Sequence, residues 1–387
     1  MLQKTQILKF SLAGALALSA AQYTYAADGD FAKGAYTADL TGVCPNPVVV
    51  QKDWLMEIEH AAFYQLIGGA GTSSEGRYEG PIGSTGVNMV VLEGGSGIGM
   101  GDGESAIMTL YAGNSKAGLK PHLSFVGTDI AINQSAQFPV VGVVAPLDKN
   151  PQVLFWDPAT YPDGFNSVDD LKALANTDAK IHVTSINRFY GKYLVEAGVA
   201  ADTFVEGYYG SPENFLLNNG KWLNQGYVTS EIFKFQNGNG WEKPVDYVMV
   251  ADLGYDNYPS VPSVAADRLE ELTPCLEQLV PLIQQAQVDY AKDPSEINAL
   301  ITRFNEAGYS AGFWKTSPAQ NASGVAIALE TGVIGNGSNA TLGDFDMARI
   351  GKLLTLLAPG FDERAKPGLS VDEIATNQFI DPSIKLD

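Results

Sequence analysis

Apolar strand-like runs alternate with amphipathic helical ones along most of this sequence, and that alternation limits the fold more than any other feature. "PVVVQKDW" is a β-branched run ending at Trp54, followed by "MEIEHAAFYQLIG", in which Ile58, Ala62, Tyr64 and Ile67 recur at helical spacing before Gly68. "VNMVVLEGG" reads as a second strand, and "ESAIMTLYAG" as a helix with Glu104 and Ser105 in its first turn, where a carboxylate suits the positive end of the helix dipole. "LSFVGTDIAINQSAQFPVVGVVAP" repeats the unit: a strand to Val126, a turn, a helix from about Asp129, and another apolar strand. Strands this apolar along their whole length belong in parallel sheets covered on both faces.

A second region is built the same way. "SVDDLKALAN" opens with Ser167 as N-cap and Asp170 three residues on, "KIHVTS" is a strand, and "RFYGKYLVEAG" a helix closed by Gly198. "DTFVEGYY" predicts a strand, "GSPENFLLNNG" a helix with Pro212 in its first turn, and "QGYVTSE" a strand ending at Glu231. "VDYVMVADLGY" then leads back toward the first region, and the remainder is helix-rich, with a helix starting at Thr273 and Pro274 that Pro281 kinks. The chain therefore crosses between two α/β lobes twice, near residues 147–156 and 248–255. The predicted division is a leader at 1–26, a discontinuous first lobe of 27–150 plus 250–387, and a second lobe of 151–249.

The glycine-dense stretch "GGSGIGMGDGES", Gly94 to Ser105, brings backbone rather than side chains to its surroundings. It fits no phosphate-binding fingerprint. A dinucleotide loop needs glycines at relative positions one, three and six, but starts at Gly95, Gly97 and Gly99 put Met100, Asp102 and Glu104 sixth. A P-loop needs Lys then Ser or Thr after its last glycine, and Gly103 is followed by Glu104. A nucleophile elbow around Ser96 needs glycine where Ile98 stands. A pocket wall is the remaining reading.

At the N-terminus, Lys4 and Lys9, an apolar stretch from Phe10 to Ala21 and "TYA" before Ala27 have the layout of a secretory signal peptide; the apolar part is too short to span hydrocarbon. Its removal takes two lysines from a chain of formal net charge −20, leaving 22 basic against 44 acidic residues. So acidic a surface excludes nucleic acid and anionic lipid as partners. Outside the cytoplasm the only cysteines, Cys44 and Cys275, form one disulfide or remain as two buried thiols; the oxidising compartment favours the bridge. No cofactor or metal site is expected.

Two lobes, two crossovers and secretion suggest a hinged binding protein. Ligands of open α/β sheets lie beyond the carboxyl ends of the strands, where this sequence places Trp54, Glu59, His60 and Tyr64; Glu104 and Ser105; Thr128 and Asp129; Tyr209, Ser211 and Asn214; and Glu231. Aromatic faces, carboxylates and helix starts suit a small, partly planar, nitrogen-bearing solute better than a bare anion. Glu231 stands out because a carboxylate within "YVTSEIF" needs a partner to be buried. His122 and His182 read as structural. A secreted hydrolase would need a nucleophile beside its base, and three scattered histidines offer none locally.

"WLMEIEHAAFY" resembles the opening motif of periplasmic solute-binding proteins of the thiamine-pyrimidine, nitrate, sulfonate and taurine transport family, in which Trp, a Glu-His pair and an aromatic follow the first strand. "LSFVGTDIAINQSAQFPVVGVVAP", "SVDDLKAL" and "QGYVTSE" are similar, in the same order, to later segments of that family, so the resemblance covers most of the chain after Val48. It implies a two-lobed α/β periplasmic binding protein of type II, a Venus flytrap with two hinge crossovers. It also implies a monomeric, periplasmic, non-enzymatic component that hands its ligand to the permease and ATPase of an ABC importer. A sulfonate, taurine or nitrate binder is the alternative within the family and should show Arg or Lys in the pocket; Arg188 is the best placed. The sequence departs from the family in the Gly-rich insertion "GGAGTSSEGRYEGPIGSTG". It also lacks the Cys-rich iron motif and phosphate loop of a eukaryotic branch that makes a pyrimidine from its own His, at the position matching His60.

Overall fold

The computed structural model describes residues 35–74, 76–95, 103–306, 314–357 and 364–387. The expected leader, 1–26, lies outside them, as does the glycine run from Ser96 to Asp102. The first sheet has seven strands: β1 (Val48–Gln51), β2 (Thr72–Ser74), β3 (Arg77–Pro81), β4 (Asn88–Leu92), β5 (Leu123–Val126), β6 (Val140–Gly142) and β12 (Val261–Ala265), in the order β2-β3-β4-β1-β5-β12-β6. The second has β7 (Gln152–Trp156), β8 (Ile181–His182), β9 (Phe204–Val205), β10 (Leu223–Tyr227) and β11 (Asp246–Met249), in the order β11-β7-β10-β8-β9. β1 pairs in parallel with β4 and β5, and β8 with β9 and β10, as continuous apolar runs predict.

Antiparallel strands complete both sheets. β12 inserts between β5 and β6, and β7 pairs antiparallel with β10 and β11. The Gly-rich insertion is a β-structure as well, a β2–β3 hairpin that extends the first sheet beyond β4. Alternate residues of β7 go to opposite faces: Val153 and Phe155 join one apolar cluster with Val48, Val50 and Phe125, while Leu154 and Trp156 join another with Val126 and Val140.

Sequence signals at element ends hold where the chemistry is local. Ser167 accepts from the Asp170 amide, and Gly198 takes the positive φ of a C-terminal cap. Two expectations are corrected. β10 stops at Tyr227 and Glu231 opens the helix Glu231–Asn237, because its carboxylate caps the Tyr227 amide at 2.7 Å instead of continuing the strand. The helix expected from Thr273 starts at Leu269 and runs to Lys292 through both prolines, its apolar face with Leu276, Leu279 and Ile283 packed on the helix Ala61–Ile67. Cys275 on that helix is disulfide-bonded to Cys44, and the Tyr36 hydroxyl donates to Asp289 further along it, so the segment before β1 is fastened to the same helix.

The chain passes between the sheets from β6 to β7 and from β11 to β12. Lys149 pairs with Asp252 at 2.5 Å and Asn150 donates to Asn257 at 2.7 Å, linking the two crossing segments directly. Arg349, on the helix Met347–Leu357, binds both: its guanidinium meets Asp148 at 3.3 Å and Asp256 at 2.7 Å, donates to the Asp256 and Asn257 carbonyls, and lies 3.8 Å from the Tyr258 ring centre. A further tie comes from the helix Pro318–Glu330. Gln320 donates to Ser230, and a Cβ at Gly324 would fall 2.6 Å from the Thr229 carbonyl and 2.7 Å from Ile58 Cδ1, so only glycine lets the backbones come this close.

Candidate functional site

β1 ends at Gln51, and the segment that follows carries Lys52, Asp53, Trp54, Glu57, Glu59 and His60, with Glu59 meeting Thr229 between β10 and the helix Glu231–Asn237. A short 3-10 turn, Ile58–His60, aims Glu59 and His60 inward, and both are buried. Asp53 accepts from His60 Nε2 at 2.8 Å and from the Ser260 hydroxyl at 2.6 Å. Burial alone would raise this carboxyl, but the His60 and Ser260 hydrogen bonds outweigh it and hold it below the ordinary range. Asp53 is therefore ionised, and His60 Nε2 carries the proton it donates. Burial pushes the His60 imidazole the other way, toward neutral, against the pull of Asp53.

The remaining carboxylates are held up by burial. Glu57 is raised well above its usual range by desolvation and by the charges of Glu59 and Asp53. Glu59, which accepts from the Thr229 hydroxyl, is pushed up to about 7, mainly by desolvation. Glu231 is also raised by burial, with Lys234 opposing. Lys52 is fully buried beneath this group, its Nζ 5.2 Å from the Tyr64 ring centre and without a hydrogen bond among the described residues; burial lowers it to about 8 although Glu93, Glu57 and Asp53 draw it up. From the other sheet, the Tyr227 phenol is raised well above its usual range by burial and then by Glu57, Asp53 and Glu59. At the edge, half-buried Trp54 packs edge-on to Trp314 at 5.3 Å, and Lys234 Nζ lies 5.9 Å over the Trp314 ring.

The structure thus brings Trp54, Glu59, His60 and Glu231 together. Tyr64 sits behind them in the core, against Tyr78 and Lys52. Thr128 and Asp129 serve the second crossing segment instead: Thr128 accepts from the Tyr258 amide at 3.0 Å and Asp129 from the Tyr255 hydroxyl at 2.7 Å. Tyr209 is 71% exposed, Ser211 is exposed, and Asn214 pairs with His182 at 3.1 Å. The side chains of Glu104 and Ser105 lie outside the described residues. Sequence reasoning missed Asp53 and Glu57. The signal was present as three acids, Asp53, Glu57 and Glu59, directly after a buried strand.

No group of three or more His, Cys, Asp or Glu among the described residues is arranged to hold a metal ion. Among the same residues no helix is long and apolar enough to cross a membrane.

No protein-family model matches the sequence, and no curated protein matches it. Solved structures do. The alkanesulfonate-binding protein SsuA from Xanthomonas axonopodis pv. citri, bound to MOPS, superposes with a TM-score of 0.51 at 10% identity over 86% of this chain and 99% of its own. The periplasmic aliphatic sulphonate binding protein SsuA from Escherichia coli gives 0.52 at 11% identity over 83% and 90%. This chain has the two-lobed periplasmic binding protein fold. The periplasmic nitrate-binding protein NrtA from Synechocystis PCC 6803 shares that fold at 0.52 and 11% identity over 87% of this chain and 88% of its own. The binding-protein fold is the one implied by the sequence resemblance, and in it the segment after β1 meets the chain after β10 through the Glu59–Thr229 hydrogen bond.

Proposed function

We propose that this protein is the extracytoplasmic solute-binding component of an ABC-type importer, capturing a small nitrogen-containing organic solute, thiamine-pyrimidine-like or a related heterocycle, by closure of its lobes. The lobes are 27–150 with 250–387, and 151–249; the protein acts as a periplasmic monomer delivering to a permease and its ATPase, with no chemistry of its own. The observation that carries the ligand reading is a cluster of four carboxylates, three from the segment after β1 and Glu231 from the helix after β10, edged by Trp54 and Trp314. Such a lining attracts N–H donors and flat rings and repels anions.

The neighbours named for sulfonate and nitrate support a second reading, in which the anion is met by Arg188, a residue close enough to Tyr227 for its charge to be felt there. A thermal-shift screen of the mature protein against aminopyrimidines, purines, flavins, amines, taurine, alkanesulfonates and nitrate separates the two, since a ligand that binds only the native state raises the melting temperature. Stabilisation by nitrogenous rings alone is expected; stabilisation by sulfonates or nitrate alone retires the acidic cleft as the site. Trp54→Ala is expected to weaken the binding of whichever ring is found by roughly tenfold or more, measured by calorimetry. Unchanged affinity in both Trp54→Ala and Glu231→Ala would place the ligand elsewhere.

A further inference from the structure

His60 poses a specific problem of donors and acceptors. Its side chain is fully buried, and Nε2 donates to ionised Asp53. In the neutral ring Nδ1 is then a lone pair, and it has no hydrogen bond among the described residues. The charged atom on that side is Glu57 Oε1, 3.9 Å away, which is another acceptor, and the Leu55 carbonyl that also draws on the ring is a third. Acceptors facing one another this closely in a buried place need a donor between them. A second orphan lies across the cleft, the hydroxyl of buried Tyr208, within electrostatic reach of Glu231.

The charge balance has the same sign as this deficit. Among the described residues, Asp53, Glu57, Glu59, Glu231 and Glu93 lie within electrostatic reach of Lys52 and Lys234, and Arg188 acts on Tyr227 beside them, with His60 held toward neutral and Tyr227 un-ionised. Five carboxylates against three cationic side chains leave the cluster short of positive charge, and a proton on Glu57 supplies part of it, while His60 Nδ1 stays without a donor among the described residues. We propose that the ligand is an organic cation, an aromatic amidinium or protonated amine, whose N–H groups take the place of the Glu57 proton and supply the donor that His60 Nδ1 lacks. One cation enters and one proton leaves to solvent, so the charge of the closed cleft is unchanged. The inference rests on the reading of this cleft as the ligand site and narrows the nitrogenous solute to a charged one.

Three probes of one shape test it: benzamidinium, neutral benzamide and anionic benzenesulfonate, titrated calorimetrically into the mature protein at pH 6, 7 and 8 in phosphate and in Tris. Glu57 is raised well above its usual range in the free protein, so a cation that pairs with it must displace a proton, and its affinity falls as the pH drops. Benzamidinium is expected to bind about tenfold more weakly at pH 6 than at pH 7 and to release about one proton, seen as a buffer-dependent heat. Glu57→Gln should abolish that release and flatten the pH dependence; the wild-type proton count stands without the variant should Glu57→Gln impair folding. If benzamide binds as well as benzamidinium with no proton released, the cleft remains the site of a nitrogenous ligand but the cation proposal falls. If benzenesulfonate binds and benzamidinium does not, both readings fall. Failure of benzamidinium to bind at millimolar concentration also overturns the proposal.

Discussion

Replacing Cys44 and Cys275 together by alanine should lower the stability of this protein by about 4–5 kcal/mol and its melting temperature by roughly 10 °C. The bridge joins positions 231 residues apart, so in the unfolded chain it closes a very long loop, and loop-closure entropy grows with loop length. Its local setting adds to the effect. Cys44 is held next to β1, and Cys275 lies on the long helix that also receives the Tyr36 hydroxyl at Asp289; without the bridge the described part of that segment is docked by Tyr36, Leu40 and Asn46 through apolar packing and hydrogen bonds to Ser84, Thr85 and Asn88. Scanning calorimetry of the oxidised protein, the reduced protein and the double variant checks this. A melting temperature unchanged to within about 2 °C in both comparisons would show that the apolar packing around Leu276 and Leu279 alone fixes the segment.

Arg349→Met should be nearly as damaging, about 2–4 kcal/mol, with an effect concentrated at the crossings between lobes. Arg349 satisfies two carboxylates and two carbonyls that belong to different crossing segments, and its side chain is only 12% exposed. Methionine keeps the stem over Tyr258 but leaves Asp148 and Asp256, both already raised by burial, with Lys149 as the remaining cation near them. Hydrogen exchange should therefore quicken first at 148–152 and 254–258, and the melting temperature should fall. Arg349→Lys retains the charge but not the fork that reaches both segments, so it should recover only part of the loss. Equal exchange in the two segments with and without Arg349 would show that the Asn150–Asn257 and Lys149–Asp252 pairs suffice.

The parts of this fold that sequence reveals are those with local causes. The apolar runs of β1, β4 and β5 are strands because buried parallel or mixed sheets accept such runs, and Ser167 and Gly198 mark helix ends through their own backbone and side chains. Glu59, His60, Trp54 and Glu231 were legible as site candidates from their order. Asp53 and Glu57 show in the sequence only as acids just past a strand, and what sets them apart, Ser260 and Tyr227, comes from distant parts of the chain. Thr128 and Asp129 failed to join the cluster for a similar reason: Tyr255 and Tyr258, on a distant segment, take up their polar atoms. The antiparallel insertion of β12 likewise depends on a pairing that no local pattern announces.

The close seat of Gly324 on Thr229 has a mechanical consequence. Two crossing segments by themselves would let the lobes swing apart as rigid bodies about one axis. The helix Pro318–Glu330, however, touches Ile58 of one lobe and Thr229 of the other at backbone distance, with Gln320 bonded to Ser230. Parting the sheets must therefore break the Gln320–Ser230 hydrogen bond and take the Gly324 backbone off the Thr229 carbonyl. Because the same Thr229 donates its hydroxyl to Glu59, that separation also takes a hydrogen bond from the acidic cluster, so the shape of the protein and the polarity around Glu59 change together.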